Sequence, residues 1–500
     1  MIALALCWLI LFRASTAAGH LILRFVDAAP PDDDHWFIAF WVGLLSIAAV
    51  VFAVVPFAPA SYASPVLVLA LYRRAPAPPR FFWPIAAAMT YVASSPVRLY
   101  DTALYHQPAI EWMSARGLVP GLALVHFRFG FTSSWLALTS LFNVGPLHAR
   151  ASVVITGLVV AVMLAHWIGL HHRNNSRESR FYVAGLPLLL LFFFLDSAIV
   201  SPSPNLAAGL AVFTGIWMLL RSPGNAANLL IAAGAVAIKL SAAPLFLVAL
   251  VRAPRTARVL AVAGAFAAPL LVANFQTTGC PLFPAILACI DAPSSLPATH
   301  VSDIAHETLN WARYAGPYPA AAPYLWVDWI PRNLSMLRNA LVAAIALVSL
   351  AFLLIRRQFD AASAAAIFGS IYVYAAAPDP RFGAGFLFAL PALALPALPL
   401  PVISRSALAA ALAVSLTIGA IACEWISNHN LPDARYEVSP LRLLIPAPAW
   451  SPPRGVVAFD HNGTRFYRPV ATDRCGTAPL PCTPYPILPT LRPCGRGWCR

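Results

Sequence analysis

Charge is scarce in this sequence. Asp, Glu, Lys and Arg make up 10% of its 500 residues and hydrophobic residues 60%, whereas soluble domains carry about 25% charged residues. A water-soluble fold with that ratio would expose large apolar surfaces, so lipid is the solvent the composition fits. Lysine is nearly missing: Lys239 is the only one. The formal charge is +14, but the arginines stand in short clusters between apolar runs. That is the pattern of membrane loops and not of a nucleic-acid surface, so no nucleic-acid partner is expected. No G-x-x-x-x-G-K-[ST], H-E-x-x-H or G-x-S-x-G occurs, which disfavours P-loop hydrolysis, a zincin and an α/β-hydrolase. The C-terminal region has no C-x-x-C and no zinc-like spacing. No metal ligands are assigned, and a divalent cation is the one cofactor left open.

Proline is abundant, with 47 residues, many beside or inside apolar runs. Membrane helices tolerate proline where neighbours re-satisfy the freed carbonyls, so short, broken helices around a cavity are expected. Apolar segments run over 1–23, 36–56, 60–72, 81–98, 150–170, 182–200, 204–220, 257–275, 337–355, 361–377, 383–400 and 404–423. The first contains Arg13 and His20 and lacks a small-residue cleavage site, so it reads as a span and not as a removable signal. The expectation is an all-α polytopic transmembrane bundle of about 11–13 spans plus a membrane hairpin. It divides into a transmembrane domain, 1–424, and an outer C-terminal tail, 425–500.

Orientation follows from the arginine-rich short loops. Arg73, Arg74 and Arg80 form one, Arg173, Arg177 and Arg180 a second, Arg252, Arg255 and Arg258 a third, and Arg356 and Arg357 a fourth. With all four in the cytoplasm, the loop after Arg98, the turn 201–205, the stretch 276–335, the turn 378–381 and the tail lie outside. Residues 229–251 are apolar between two cytoplasmic loops. They read as a hairpin that enters the membrane and returns, with Lys239 and Ser241 near its bend. Cysteine gives an independent check. Cys280, Cys289, Cys475, Cys482, Cys494 and Cys499 all fall on the side assigned as outside. An oxidising periplasm allows up to three disulfides there, two of them in the tail with three possible connectivities.

Candidate chemistry gathers at outer span ends. In Arg98-Leu-Tyr-Asp101-Thr-Ala-Leu-Tyr105-His106-Gln107, Asp101 follows a span directly. A carboxylate at a hydrocarbon boundary gains basicity and can take a proton from an attacking hydroxyl; otherwise it caps a helix. In a helix, Tyr105 shares its face. The stretch 104–117, with Glu111, reads as an amphipathic helix along the interface. In His126-Phe-Arg128-Phe-Gly130, the guanidinium suits a lipid phosphate, or it snorkels to the headgroups. Asp196 lies just inside a span end, where ionisable groups tend to be functional. The turn Ser201-Pro-Ser-Pro-Asn205 follows it, and Asn205 can cap the next helix. Lys239 needs an anion, either a phosphate or Asp196, unless it snorkels. In Pro378-Asp379-Pro-Arg381-Phe-Gly383, Arg381 is a second phosphate candidate or pairs with Asp379.

In their order these features resemble the GT-C superfamily of polytopic glycosyltransferases, which use polyprenyl-phosphate sugars. The strings LYDTALYHQPAIEW, HFRFGFTSSWL, SPSPN, AIKLSAAPL, GCPLFP, PDPRFG and PLPCTPY are similar to a narrower group of uncharacterised bacterial polytopic membrane proteins. The resemblance implies a transferase that moves a sugar from a lipid-linked donor to a glycan or lipid acceptor. The site would lie on the periplasmic face of the inner membrane. It implies Asp101 as general base, with Arg128, Arg381 and Lys239 on the phosphate. Arg98, Tyr105, His106, Glu111, His126, Asp196 and Asp379 would complete the substrate site. The narrower group often has Asp after the SPSP string; Asn205 here argues against an essential carboxylate at that place. Two other classes fit the composition. A transporter or flippase of a lipid-linked saccharide calls for charges at mid-membrane and usually an internal repeat, and no repeat is evident. A non-catalytic polymer-assembly protein predicts that Asp101 tolerates substitution.

Overall fold

The computed structural model describes residues 1–28, 32–71, 73, 75–97, 99–172, 176–195, 198–318, 326–395, 443–448, 452 and 454–500. It is mostly helical. Two long apolar helices, α1 (Ile2–Phe25) and α2 (His35–Val54), form an antiparallel hairpin. Their backbones touch where Gly19 faces Gly43: a methyl group on Gly19 would stand 1.8 Å from the Ala39 carbonyl oxygen. Small residues at a crossing are what lipid-embedded helices need to pack closely. Next come α3 (Ser64–Leu71) and α4 (Phe82–Ala93). A compact irregular region follows, with a π turn at Thr102–His106, α5 (Gln107–Ala115), α6 (Leu122–Val125), a 3₁₀ turn at Phe127–Gly130 and α7 (Ser134–Ser140).

The bundle continues with α8 (Thr156–His172), α9 (Ser176–Leu195) and α10 (Pro204–Arg221). Then come α11 (Ala226–Ile238), α12 (Ala243–Arg252) and α13 (Ala257–Thr278). An amphipathic pair, α14 (Ala298–Tyr314) and α15 (Trp326–Ser335), precedes α16 (Leu337–Ile355), α17 (Ala361–Ala376) and α18 (Ala384–Ala394). Among the described residues six helices are long and apolar enough to cross a membrane: α1, α2, α8 with the turn leading into it, α10, α13 and α16. The span expected over 404–423 lies outside the described residues.

The segment 229–251 is a helical hairpin, as the loop charges required. The start of α11 (Asn225, Ala226) and the residues after α12 (Pro254, Thr256, Arg258) line one cavity together with Asp27. Both ends of the hairpin therefore sit at one end of the bundle. Thirteen residues of α11 reach roughly 20 Å. The tip at Lys239 meets Asn205, at the start of α10 and so at the opposite end of the bundle.

Two expectations need correction. The stretch 104–117 is no surface helix: Gln107, Ile110, Glu111, Trp112 and Met113 are buried, because the turn Ala60–Ala63 and α7 pack on α5. The fold is also not purely α. The tail folds into two small hairpins, β1 (Val456–His461) with β2 (Thr464–Pro469), and β3 (Arg492–Cys494) with β4 (Gly497–Cys499). The first turns on Asn462-Gly463, both at positive φ, which is the conformation a two-residue hairpin turn requires. All three expected disulfides form, as Cys280–Cys289, Cys475–Cys482 and Cys494–Cys499. The tail sits at the Asp101 end: Gly476 N–H donates to the Ala103 carbonyl (2.7 Å), and Trp498 N–H to the Pro120 carbonyl (2.9 Å).

Candidate functional site

Asp101 opens the π turn Thr102–His106, which runs straight into α5. A π turn closes its hydrogen bonds i→i+5, so the residue five positions on comes round towards the first. Tyr105 and His106 are thereby both near Asp101, close enough that its charge acts on each ring. In an α-helix only Tyr105 would share that face. The Thr102 and Ser201 hydroxyls share a hydrogen bond of 2.6 Å, and the Thr156 hydroxyl donates to the Ser201 carbonyl (2.8 Å). The serine-proline turn before α10 is thus tied to the base of the π turn.

Arg128 is aimed by its own loop. His126 is extended, and its Nδ1 accepts the Arg128 backbone N–H (3.2 Å), which caps the 3₁₀ turn. That bond leaves the proton of the neutral ring on Nε2. The Arg128 guanidinium lies 5.2 Å from the Phe127 ring and 5.9 Å from the Tyr105 ring. Lys239 sits where α11 ends: its backbone is extended before a short 3₁₀ turn. Its ammonium donates to the side-chain oxygen of Asn205 and lies 3.8 Å over the Phe382 ring. Asn205 is an amide and cancels no charge. Arg381 differs. Asp379 accepts its backbone N–H (2.9 Å), its Nε–H (3.0 Å) and its Nη2–H (2.8 Å). This pair is buried, with Asp379 3% exposed, and not the exposed pair one would discount. Trp311 covers Arg381 at 5.2 Å.

The structure therefore brings together Asp101, Tyr105, His106, Arg128, Lys239, Asp379 and Arg381, with His126 beside them. Each acts electrostatically on at least one of the others. Glu111 is held apart from them. Gln107 Nε2 (2.7 Å) and Asn143 Nδ2 (3.1 Å) donate to it, and His148 lies 3.3 Å away, so it braces the loop. Arg98 and Asp196 lie outside the described residues. Among the described residues no three His, Cys, Asp or Glu side chains converge as a metal site. The sequence did not single out Tyr485. Its ring packs 5.0 Å from His126 and 5.1 Å from Phe127. The one signal for it is its place in PLPCTPY.

Electrostatics separate these groups. Burial pushes the His106 imidazole down to about 4; Asp101 opposes this, while Lys239 and Arg128 add to it. Burial and the Arg128 charge push His126 down to about 3. Both rings are neutral near pH 7. Burial also pushes the Tyr105 phenol well up, so it keeps its proton. Burial alone would raise the Asp379 carboxyl, but the Arg381 charge and hydrogen bonds hold it below the ordinary carboxylate range. Among the described residues Asp101, Arg128 and Lys239 form no ion pair. His106 Nδ1 and Arg128 Nε are buried and have no hydrogen-bond partner among the described residues. Such atoms also occur elsewhere among the described residues, on Trp41, Trp217 and Arg221 for example, so what distinguishes this site is the set of charges without an ion-pair partner.

Residues 75–388 match the family described as Domain of unknown function (DUF8201), and the chain belongs to that family. The matched stretch contains every site residue expected from the sequence, but not Tyr485, and ends before the tail. No curated protein and no solved structure matches the chain.

Proposed function

We propose that the protein is an integral-membrane glycosyltransferase of GT-C type, with about 11–13 crossings of a bacterial inner membrane and its tail in the periplasm. It moves a sugar from a polyprenyl-phosphate donor to a glycan or lipid acceptor at the Asp101 end. One observation carries this reading: a carboxylate without an ion-pair partner and two cations without one meet in one site among the described residues. Asp101 is the base. Arg128 and Lys239 are the anion-binding groups. Arg381, already held by Asp379, shapes the wall and lends little net charge. An uncharged amide at Asn205 leaves the Lys239 charge for a ligand.

In the reaction the acceptor hydroxyl oxygen attacks the anomeric carbon and Asp101 takes its proton. The bond from that carbon to the phosphate oxygen breaks, and its electron pair leaves with the phosphate. Arg128 and Lys239 stabilise the charge that develops there. Neutral His106 and Tyr105 position the acceptor or orient Asp101. The test is transfer of sugar from a polyprenyl-phosphate donor by Asp101→Asn, which keeps shape and removes the proton acceptor. Loss of transfer supports the enzyme. Wild-type transfer would remove the proton-accepting role from Asp101, whose side chain makes no cap hydrogen bond to the turn, and would favour a flippase or an assembly partner.

A further inference from the structure

The C-terminal cap comes from outside the family-matched stretch, yet it grips both flanks of Asp101. On one side Tyr100 donates its hydroxyl to Asp473, and the Arg474 guanidinium lies 4.9 Å over the Tyr100 ring. On the other side Gly476 N–H donates to Ala103 (2.7 Å). Gly476 follows Cys475, whose disulfide to Cys482 links this loop to the segment 481–485. That segment is pinned to β2: Tyr467 N–H donates to Pro481 (2.9 Å) and Thr483 N–H to Tyr467 (3.0 Å). Its last residue, Tyr485, packs on His126 and Phe127, the two residues before Arg128, within electrostatic reach of the Arg128 guanidinium.

The chemistry of that contact runs one way. A guanidinium has donors only, so towards Arg128 the Tyr485 oxygen can serve only as an acceptor, and its own proton remains to be donated. No acceptor side chain for that proton occurs among the described residues. Arg128 Nε–H is buried and likewise has no hydrogen-bond partner among the described residues. Two unused donors, one of them cationic, therefore stand side by side at the lip of the Asp101 site. Their common complement is an anionic oxygen.

We propose that Tyr485 is a ligand-binding residue that joins Arg128 in holding a phosphate-ester oxygen, so that the cap is a wall of the binding site. The inference rests on the glycosyltransferase reading for the identity of the ligand, a polyprenyl phosphate. The Cys475–Cys482 bridge then positions Tyr485, because it couples the loop on Ala103 to the segment on Arg128.

The test uses the full-length protein in lipid nanodiscs, with polyprenyl monophosphate and inorganic phosphate as separate probes. Tyr485→Phe removes one donor and keeps the ring. Affinity for polyprenyl phosphate should fall roughly tenfold, as for a hydrogen bond to a charged group. The donor KM should rise alike, with kcat within about twofold and an unchanged melting midpoint. Cys475→Ser with Cys482→Ser should move KM in the same direction. Inorganic phosphate that binds with the same Tyr485 dependence would support the anion site and assign its source to free phosphate. Wild-type affinity and KM in Tyr485→Phe, while Asp101→Asn is inactive, would overturn the inference and leave the enzyme standing. A Tyr485-dependent phosphate site in a protein whose Asp101→Asn variant transfers normally would keep the inference and remove the enzyme.

Discussion

The two ends of the bundle hold charge in opposite ways. At the end away from the cap, Asp34 is 0% exposed, in the turn that leads into α2. His166 Nε2 lies 3.1 Å from it and Arg221 3.6 Å. The second nitrogen of that imidazole meets the Tyr182 hydroxyl at 2.9 Å, Arg221 meets Glu178 at 2.8 Å, and Phe37 stacks on the His166 ring at 3.7 Å. Each acid there has a base. At the other end Asp101, Arg128 and Lys239 have no ion-pair partner among the described residues, and the one tight pair, Asp379 with Arg381, stands beside them. A closed network ties helices together, here α2 with α8, α9 and α10. At the Asp101 end no such network forms among the described residues. Burial of charge alone does not mark function; charge without an ion-pair partner is the better signal.

The largest expected effect breaks the closed end. Asp34→Ala strips Arg221 and His166 of their shared acid, and removing one partner of a buried ion pair costs about 3–5 kcal/mol. Thermal unfolding in detergent should show that loss, with residual activity tracking the folded fraction. A normal melting point would mean that the Asp34 network holds nothing together. Second comes Arg128→Ala at the open end. The donor KM should rise about 10- to 100-fold with little change in melting; a drop in stability with an unchanged KM would move Arg128 into the structural class. Third, Asn205→Asp closes part of the open site by giving Lys239 a carboxylate. Donor affinity should fall about tenfold while stability holds or rises. Tighter donor binding in that variant would refute the role given to Lys239.

The smallest effect is one of pH. His106 titrates at about 4 in the fold and near 6.5 when unfolded. Between those values the unfolded chain binds the proton better, so the stability this histidine contributes is full above about 6.5 and is lost as pH falls towards 4. Replacing His106 with Gln should flatten the decline between pH 6.5 and 5 by on the order of 1 kcal/mol. An unaltered pH slope would show that His106 is not held neutral.

The sequence carried the coarse architecture because its signals were local or additive. Arginine clusters fixed which loops share an end, and with that parity 229–251 had to turn back, which places Lys239 at a tip. Six cysteines on one side anticipated the bridges. Asn462-Gly463 was a legible hairpin signal that the surrounding polar tail obscured. What could not be read depends on distant chain segments. Whether α5 lies on the surface or under other segments is decided by 60–63 and α7, and amphipathicity looks the same in both cases. The Asp34–His166–Tyr182 network joins three helices through residues that are unremarkable singly. Tyr485 meets Arg128 only because the tail folds back over the π turn, and that turn brings His106 round in a way no α-helical spacing suggests.

The difference between the ends is tested most directly by two amides made side by side. Asp101→Asn and Asp34→Asn both remove one negative charge and keep shape. Sugar transfer from a polyprenyl-phosphate donor and the melting midpoint are measured in each. The account predicts that Asp101→Asn loses roughly 10²–10⁴ in rate at an unchanged midpoint, whereas Asp34→Asn loses midpoint and keeps its rate per folded molecule. Full transfer by Asp101→Asn, or a midpoint that falls as far as in Asp34→Asn, would contradict it.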